Sequence, residues 1–216
     1  MIIAVDGPAA SGKGTIAAGL AAHYGLPHLD TGLLYRAVGK AVAGHEDDRN
    51  FEQLAIVAAR ALDPARLDPQ ALGTAEIASL ASKVAVFDGV RAALFAAQRD
   101  FALQSGGAVL DGRDIGTRIC PEADVKLFMS ADSAARVERR ARQFEARGIA
   151  VDRAALARDI AERDARDSAA PHGGFRPASD AHLLDTTDLD IEAALRAAVT
   201  IVDGVMARKA GRPAQS

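Results

Sequence analysis

The chain has one cysteine, Cys120, so no disulfide can close within it and no cysteine zinc site can be built. It also lacks a lysine-rich stripe. The formal net charge is −3, which argues against bulk binding of nucleic acid, where a row of cations must neutralise a row of phosphates. No apolar run approaches the length of a bilayer span, and no charged leader precedes Ile2, Ile3, Ala4 and Val5. No membrane partner is therefore expected, and the cytoplasm is the expected compartment. Repeats and low-complexity tracts are missing too, and 216 residues suit one domain, or a core domain with an insert, large enough to bury most of its apolar surface.

What is present is concentrated at the N-terminus. The apolar run Ile2 to Val5 feeds into GPAASGKGT, Gly7 to Thr15, and then into an alanine-rich helical pattern. A strand ending in a glycine-bounded turn that opens a helix aims backbone N–H groups and the positive end of the helix dipole at one point, where an anion can sit. The whole loop, Gly7, Pro8, Ala9, Ala10, Ser11, Gly12, Lys13, Gly14 and Thr15, reads as an ATP phosphate cradle. Gly7 and Gly12 allow conformations and approaches a side chain would block. Lys13 brings an ammonium to the β- and γ-phosphates, and the Thr15 hydroxyl is the candidate metal ligand. The usual pattern puts Ser or Thr directly after the lysine, whereas here Gly14 intervenes, which points to a subclass. A glycine-rich turn of this kind can also be a plain packing device.

Along the rest of the chain, short apolar runs alternate with helical periodicity. Strands are expected at Leu26 to Leu29, Ala108 to Leu110, Val125 to Met129 and His182 to Leu184. Helices are expected from the loop to Tyr24, over Leu33 to Val42, Phe51 to Leu62, Thr74 to Val86 and Asp88 to Gln104, then from Asp132 to Arg147, Asp152 to about Asp167 and Ile191 to Lys209. An Asp cap is expected to open the Asp88 helix, and Gly106-Gly107 to close it. The tract Arg136, Arg139, Arg140 and Arg142 reads as a solvated helical face, since nothing but charge recommends it. Five short apolar strands separated by helices imply an α/β fold, a five-stranded parallel sheet with helices on both faces. In such sheets ligands bind beyond the carboxyl ends of the strands. Polar clusters fall at those ends: Asp6-Gly7, Asp30-Thr31, Asp111 to Asp114, and Asp185-Thr186.

GPAASGKGT, LDTGLLYR (Leu29 to Arg36), SKVAVFDGVR (Ser82 to Arg91), LDGRDIGT (Leu110 to Thr117), RDARDS (Arg163 to Ser168) and DAHLLDTT (Asp180 to Thr187) follow one another over nearly the whole chain. Together they resemble the bacterial cytidylate kinases. GRD-x-GT followed by RD-x-x-DS is specific to that family, whereas a phosphate loop alone leaves many families open. The resemblance implies a P-loop kinase in one domain, 1–216, that moves the γ-phosphoryl of ATP, with Mg²⁺, onto CMP or dCMP, and that works as a monomer. It also implies an acceptor-binding insert at about 39–92 and a short lid at about 148–178.

Phosphoryl transfer leaves the protein little covalent work, so lysine, arginine and metal must position the phosphates and stabilise their charge. The resemblance makes Lys13, Arg113 and Arg163 the catalytic cations and places Arg36, Arg113 and Arg163 at positions that grip the acceptor phosphate or the transferring group. Planar guanidinium forks suit those oxyanions. Any one of these arginines alone could be an ordinary surface side chain. Ser82, Arg91 and Asp114 match the family's cytosine contacts, Asp167 matches the ribose contact, and Thr31 completes the CMP set. Cytosine presents an exocyclic amine and an unprotonated ring nitrogen, so a carboxylate plus an arginine favours it over uracil. A helix cap and a solvated helix position remain the plain alternatives for Ser82 and Arg91, and a salt-bridge ladder for Asp167, Arg163 and Arg166.

Two departures from the family stand out. Leu62 to Thr74 carries no alternating β pattern, so the insert reads as shortened and mostly helical. Ala170 stands where relatives usually carry an arginine. Arg176, in the stretch Pro171 to Pro177 with Gly173-Gly174, is the nearby candidate to replace it when the lid closes. Three other readings are open: a kinase of UMP or AMP, a GTPase-type switch, and a non-catalytic nucleotide sensor. The switch would need an Asn-Lys-x-Asp run, which is absent. The sensor would need neither Arg113 nor Asp114.

Overall fold

A computed structural model describes residues 1–64, 67–169 and 176–211. Ala170 and the Gly173-Gly174 pair lie outside those residues. Five strands, β1 (Ile2–Asp6), β2 (His28–Asp30), β3 (Ala108–Gly112), β4 (Val125–Ser130) and β5 (His182–Asp185), form one sheet in the order β2-β3-β1-β4-β5. β1 runs parallel to both β3 and β4, and β4 parallel to β5. The register pairs Asp6 with Gly112 and with Phe128, and Ser130 with Asp185, so the polar strand ends lie along one side of the sheet.

Two compact units make up the chain, one of residues 1–28 and 105–216, the other of residues 29–104. In the first, α1 (Lys13–Tyr24) and α8 (Ile191–Ala210) cover one face of the sheet. Ile3, Val5, Val109, Leu127 and Met129 interlock there with Ile16, Leu20, Ala194, Ala198 and Val202, all buried. Strand side chains alternate between faces, and Ala4 and Leu110, on the opposite face, have no exposed surface. Gly25, with φ 64°, ends α1 in the left-handed conformation that glycine adopts without strain. Asp190 opens α8 by accepting the Ala193 N–H at 2.7 Å. α6 (Ser133–Glu145) and α7 (Arg153–Ala169) pack through Ala141, Leu156 and Ile160. Asp132 and Asp152 accept N–H groups at their starts, as their positions lead one to expect.

The second unit contains α2 (Thr31–Ala41), α3 (Phe51–Arg60), α4 (Ala75–Val84) and α5 (Asp88–Ala102). At Gly39 of α2 a Cβ would sit 2.8 Å from the backbone N of Ala81, so only glycine lets α2 and α4 approach this closely. The expected Asp88 cap is not formed. Phe87 holds the capping position without a side-chain bond, and Asp88 is the first helical residue, where its charge favours the helix dipole instead. The helix also ends at Ala102, before Gly106-Gly107.

Gly107 ties the start of β3 to the chain's first residue. Its φ is +89°, and an added Cβ would lie 2.6 Å from both the N and the carbonyl C of Met1. Gly107→Ala should therefore lower stability by roughly 2–4 kcal/mol through backbone strain plus a clash that backbone cannot relieve. Urea unfolding would show this as a reduced midpoint, and an unchanged midpoint would contradict it.

Candidate active site

The phosphate loop runs from β1 into α1 with the conformation its glycines permit. Gly12 adopts φ 87° and Ala10 φ 60°, and the Ser11 N–H reaches the Pro8 carbonyl at 3.4 Å. A Cβ on Gly7 would lie 2.6 Å from the Met129 carbonyl, so β4 fixes glycine at that position. Lys13 is the first residue of α1, and the exposed Thr15 follows two residues later, within the same first turn. The N–H groups of such a turn have no helical partner and are available to an anion.

β3 carries the other half of the core site. Its end brings Arg113 to the loop: Nη1 donates to the Gly7 carbonyl, and Nε donates to Asp167 of α7 at 2.7 Å. Three predicted residues or segments, the phosphate loop, Arg113 and Asp167, are thus joined by one guanidinium. Asp114 leads into a single π-helical turn, Ile115–Ile119, whose amides at Arg118 and Ile119 bond back to the Asp114 carbonyl at 2.9 and 3.1 Å. Arg163 lies half-buried on α7, one turn before Asp167.

The remaining predicted residues belong to the 29–104 unit. Thr31 is buried at the start of α2, just after Asp30, which caps that helix by accepting the Gly32 N–H at 2.9 Å. Arg36 donates to the Leu72 carbonyl at 2.8 Å. Ser82 donates to the Ala78 carbonyl one turn back at 3.3 Å, and Arg91 to the Ala85 carbonyl at 3.5 Å.

Several residues near the loop escaped the sequence reading. The four-arginine tract is not one solvated face. Arg136 is buried, pairs with Asp164 at 2.7 Å and donates to the Ala9 carbonyl of the phosphate loop at 3.4 Å. Arg139 donates to the Thr186 hydroxyl at 2.9 Å and also to the Thr186 carbonyl. That hydroxyl lies 3.0 Å from both the Ser11 and the Ser130 carbonyls, so the arginine braces the loop through it. Arg142 does lie exposed, against Glu138, and Arg140 stacks over Phe144 at 4.6 Å. Buried guanidinium groups need partners from distant segments, which helical periodicity cannot announce.

In the sequence Asp111 reads only as part of a polar strand end. It is buried, bonds His28 Nε2 at 2.8 Å, and lies 3.8 Å from where a Cβ on Gly14 would be. An acidic residue ending the strand beside a phosphate-loop strand is the signal that could have singled it out. A hydroxyl at Thr15 and a carboxylate at Asp111 are hard oxygen donors, which suits Mg²⁺, an ion that keeps several waters and leans on substrate phosphates.

Asp6, the last residue of β1, is the most perturbed carboxylate here. Burial pushes it up from 3.8 to about 6, against the Gly116 and Ile115 N–H groups that favour its anion; the Asp114 charge adds to the rise and Lys13 opposes it. Because the folded value is the higher one, the folded state binds the extra proton. Stability from this group is therefore full below about pH 4 and lost as pH rises through 6, a cost on the order of 3 kcal/mol at neutral pH.

The family model of cytidylate kinase matches residues 3–203. Cytidylate kinase from Methylocella silvestris is 54% identical over 99% of this chain and 100% of its own length. Cytidylate kinase from Xanthobacter autotrophicus is 56% identical over 98% of this chain and 100% of its own length. Among solved structures, an uncharacterised protein from Eubacterium ventriosum superposes with a TM-score of 0.54 at 16% identity, covering 94% of this chain and 98% of that one, a likeness of fold alone.

Proposed function

The chain belongs to the cytidylate kinase family, and from that premise we propose that it transfers the γ-phosphoryl group of ATP to CMP or dCMP, giving CDP or dCDP and ADP. The observation that carries this reading is Arg113, whose guanidinium touches both the phosphate loop at Gly7 and the acceptor-side residue Asp167. A residue held in that place can follow charge as it passes from donor to acceptor.

In this reading the loop amides from Gly7 to Thr15 hold the ATP phosphates and Lys13 balances the charge of the transferring group. Thr15 and Asp111 would hold the Mg²⁺ that binds with ATP, and that ion would supply charge to neutralise phosphate oxygens. Arg113 and Arg163 stabilise the group in flight, and Arg36 holds the CMP phosphate. Asp114, Arg91 and Ser82 read the cytosine edge, Asp167 and Thr31 the sugar side. A uracil in their place would leave buried polar groups unpaired, which is how such a set rejects it. The chain acts as a monomer on free nucleotides in the cytoplasm; no described helix is long and apolar enough to cross a membrane. Incubating it with ATP, Mg²⁺ and CMP should yield CDP and ADP in equal amounts, with no ADP in the absence of CMP. ADP formed equally without an acceptor would refute the reading and leave a hydrolase, and no ADP under either condition would leave a sensor.

Arg176 is exposed at the start of the last described segment. It is proposed to replace in part the arginine that the family pattern usually has at the position of Ala170. Arg176→Ala should lower kcat at least about tenfold, about 1.4 kcal/mol, without loss of stability. Unaltered turnover would retire the substitution, and a gain from Ala170→Arg would then show the position to be vacant.

A further inference from the structure

Asp6 is a buried carboxylate kept at a cost to the fold, and no part of the proposed chemistry uses it. Its two oxygens are both engaged: Oδ1 accepts the Ile115 N–H at 2.9 Å and Oδ2 accepts the Gly116 N–H at 2.8 Å. Those are the first two amides of the π-helical turn that leaves Asp114. Asp6 is also the residue directly before Gly7, whose carbonyl takes the Arg113 guanidinium. Adjacent residues of one strand end therefore grip the Arg113–Asp114 segment from both sides, Gly7 at Arg113 and Asp6 just past Asp114.

The far side of the turn is closed as well. A Cβ on Gly116 would come within 3.1 Å of the Lys126 side chain and 3.4 Å of Asp6 Oδ2, and Lys126 is itself held by both oxygens of Asp180 at 2.8 and 2.9 Å. Moving away from β1 would cost the turn its two buried bonds to Asp6, and moving toward the Lys126 side chain would meet close packing. An apolar residue at position 6 would leave two buried N–H groups unpaired, and an amide could accept only one of them while turning its own N–H group on the other. Only a carboxylate satisfies both.

We propose that Asp6 is a positioning residue for base selection: it locks the turn behind Asp114 to the strand that carries the phosphate loop, so that the Asp114 carboxylate stands at one fixed place relative to the ATP cradle. This rests on the reading of Asp114 as a cytosine contact. A brace for the fold alone would lower all activities together, whereas a brace for Asp114 alters recognition of the acceptor and spares ATP.

The test is steady-state kinetics of purified Asp6→Asn with CMP, UMP and ATP each varied, after circular dichroism has shown a native fold. The expected result is a KM for CMP raised about tenfold or more and a narrowed CMP-to-UMP ratio of kcat/KM, with KM for ATP within about threefold of wild type. An unchanged KM for CMP with an unchanged ratio would overturn the proposal. So would a kcat that falls with both KM values and the ratio unaltered, since that is the mark of a purely structural role. Should Asp6→Asn fail to fold, Asp6→Ser, which keeps one small acceptor, is measured against the same outcomes. Wild type is assayed first: no turnover of CMP there would sink the kinase reading itself, whereas normal wild-type turnover beside an unaltered variant sinks only the role of Asp6.

Discussion

Replacing Lys13 with alanine should reduce kcat by on the order of 10²-fold or more while leaving the protein folded, the range found when one preorganised charge is withdrawn from a transition state. The position explains why the two effects separate. Lys13 is the first residue of α1, where alanine is at least as good a helix former, and it contributes nothing to the buried cluster beneath that helix. Its charge does help to hold Asp6 ionised, so its loss would push that carboxyl higher still. This adds to the defect without unfolding the sheet. Near-native turnover in a folded Lys13→Ala protein would defeat the assignment of the loop to the transferring phosphates. Thermal melts recorded beside the kinetics would separate a chemical loss from a structural one.

The second large effect is expected at Asp114. Asp114→Asn keeps the shape of the side chain but exchanges one acceptor for a donor, which suits the O4 carbonyl of uracil better than the amine of cytosine. The ratio of kcat/KM for CMP over UMP should fall by about one to two orders of magnitude, from a loss with CMP and some gain with UMP. The backbone around Asp114 should be little disturbed, because the turn behind it is held by its carbonyl and by Asp6, neither of which the substitution touches. An unchanged ratio would mean that Asp114 does not read the base.

Much of this architecture was legible before any coordinates. The strands and helices announced themselves through period and punctuation, and Asp132 and Asp152 stand where caps are formed. The phosphate loop was legible for the same reason, since its glycines and lysine have meaning only between a strand and a helix. What stayed hidden was set by contacts far apart in sequence. Five residues, Ile115–Ile119, are too few to carry a helical period, so the π-helical turn gave no sign of itself. Arg136 looks like its exposed neighbour Arg142 until Ala9, 127 residues away, and Asp164 arrive beside it. Asp6 reads as one more polar strand end, and its burial is evident only once the turn after Asp114 lies across it. The Asp88 cap failed for a local reason: Phe87 already holds the extended conformation at the helix entry, with φ −78° and ψ 121°, which moves the aspartate one place inward.

The most direct test of the account is ADP release, coupled to a reporter enzyme, with ATP and Mg²⁺ held constant and CMP, dCMP, UMP, AMP and GMP offered in turn. CMP and dCMP are predicted to give the highest kcat/KM, with UMP and AMP at least about tenfold lower, the discrimination that unpaired polar groups around the wrong base impose. UMP or AMP as the best acceptor would contradict the account.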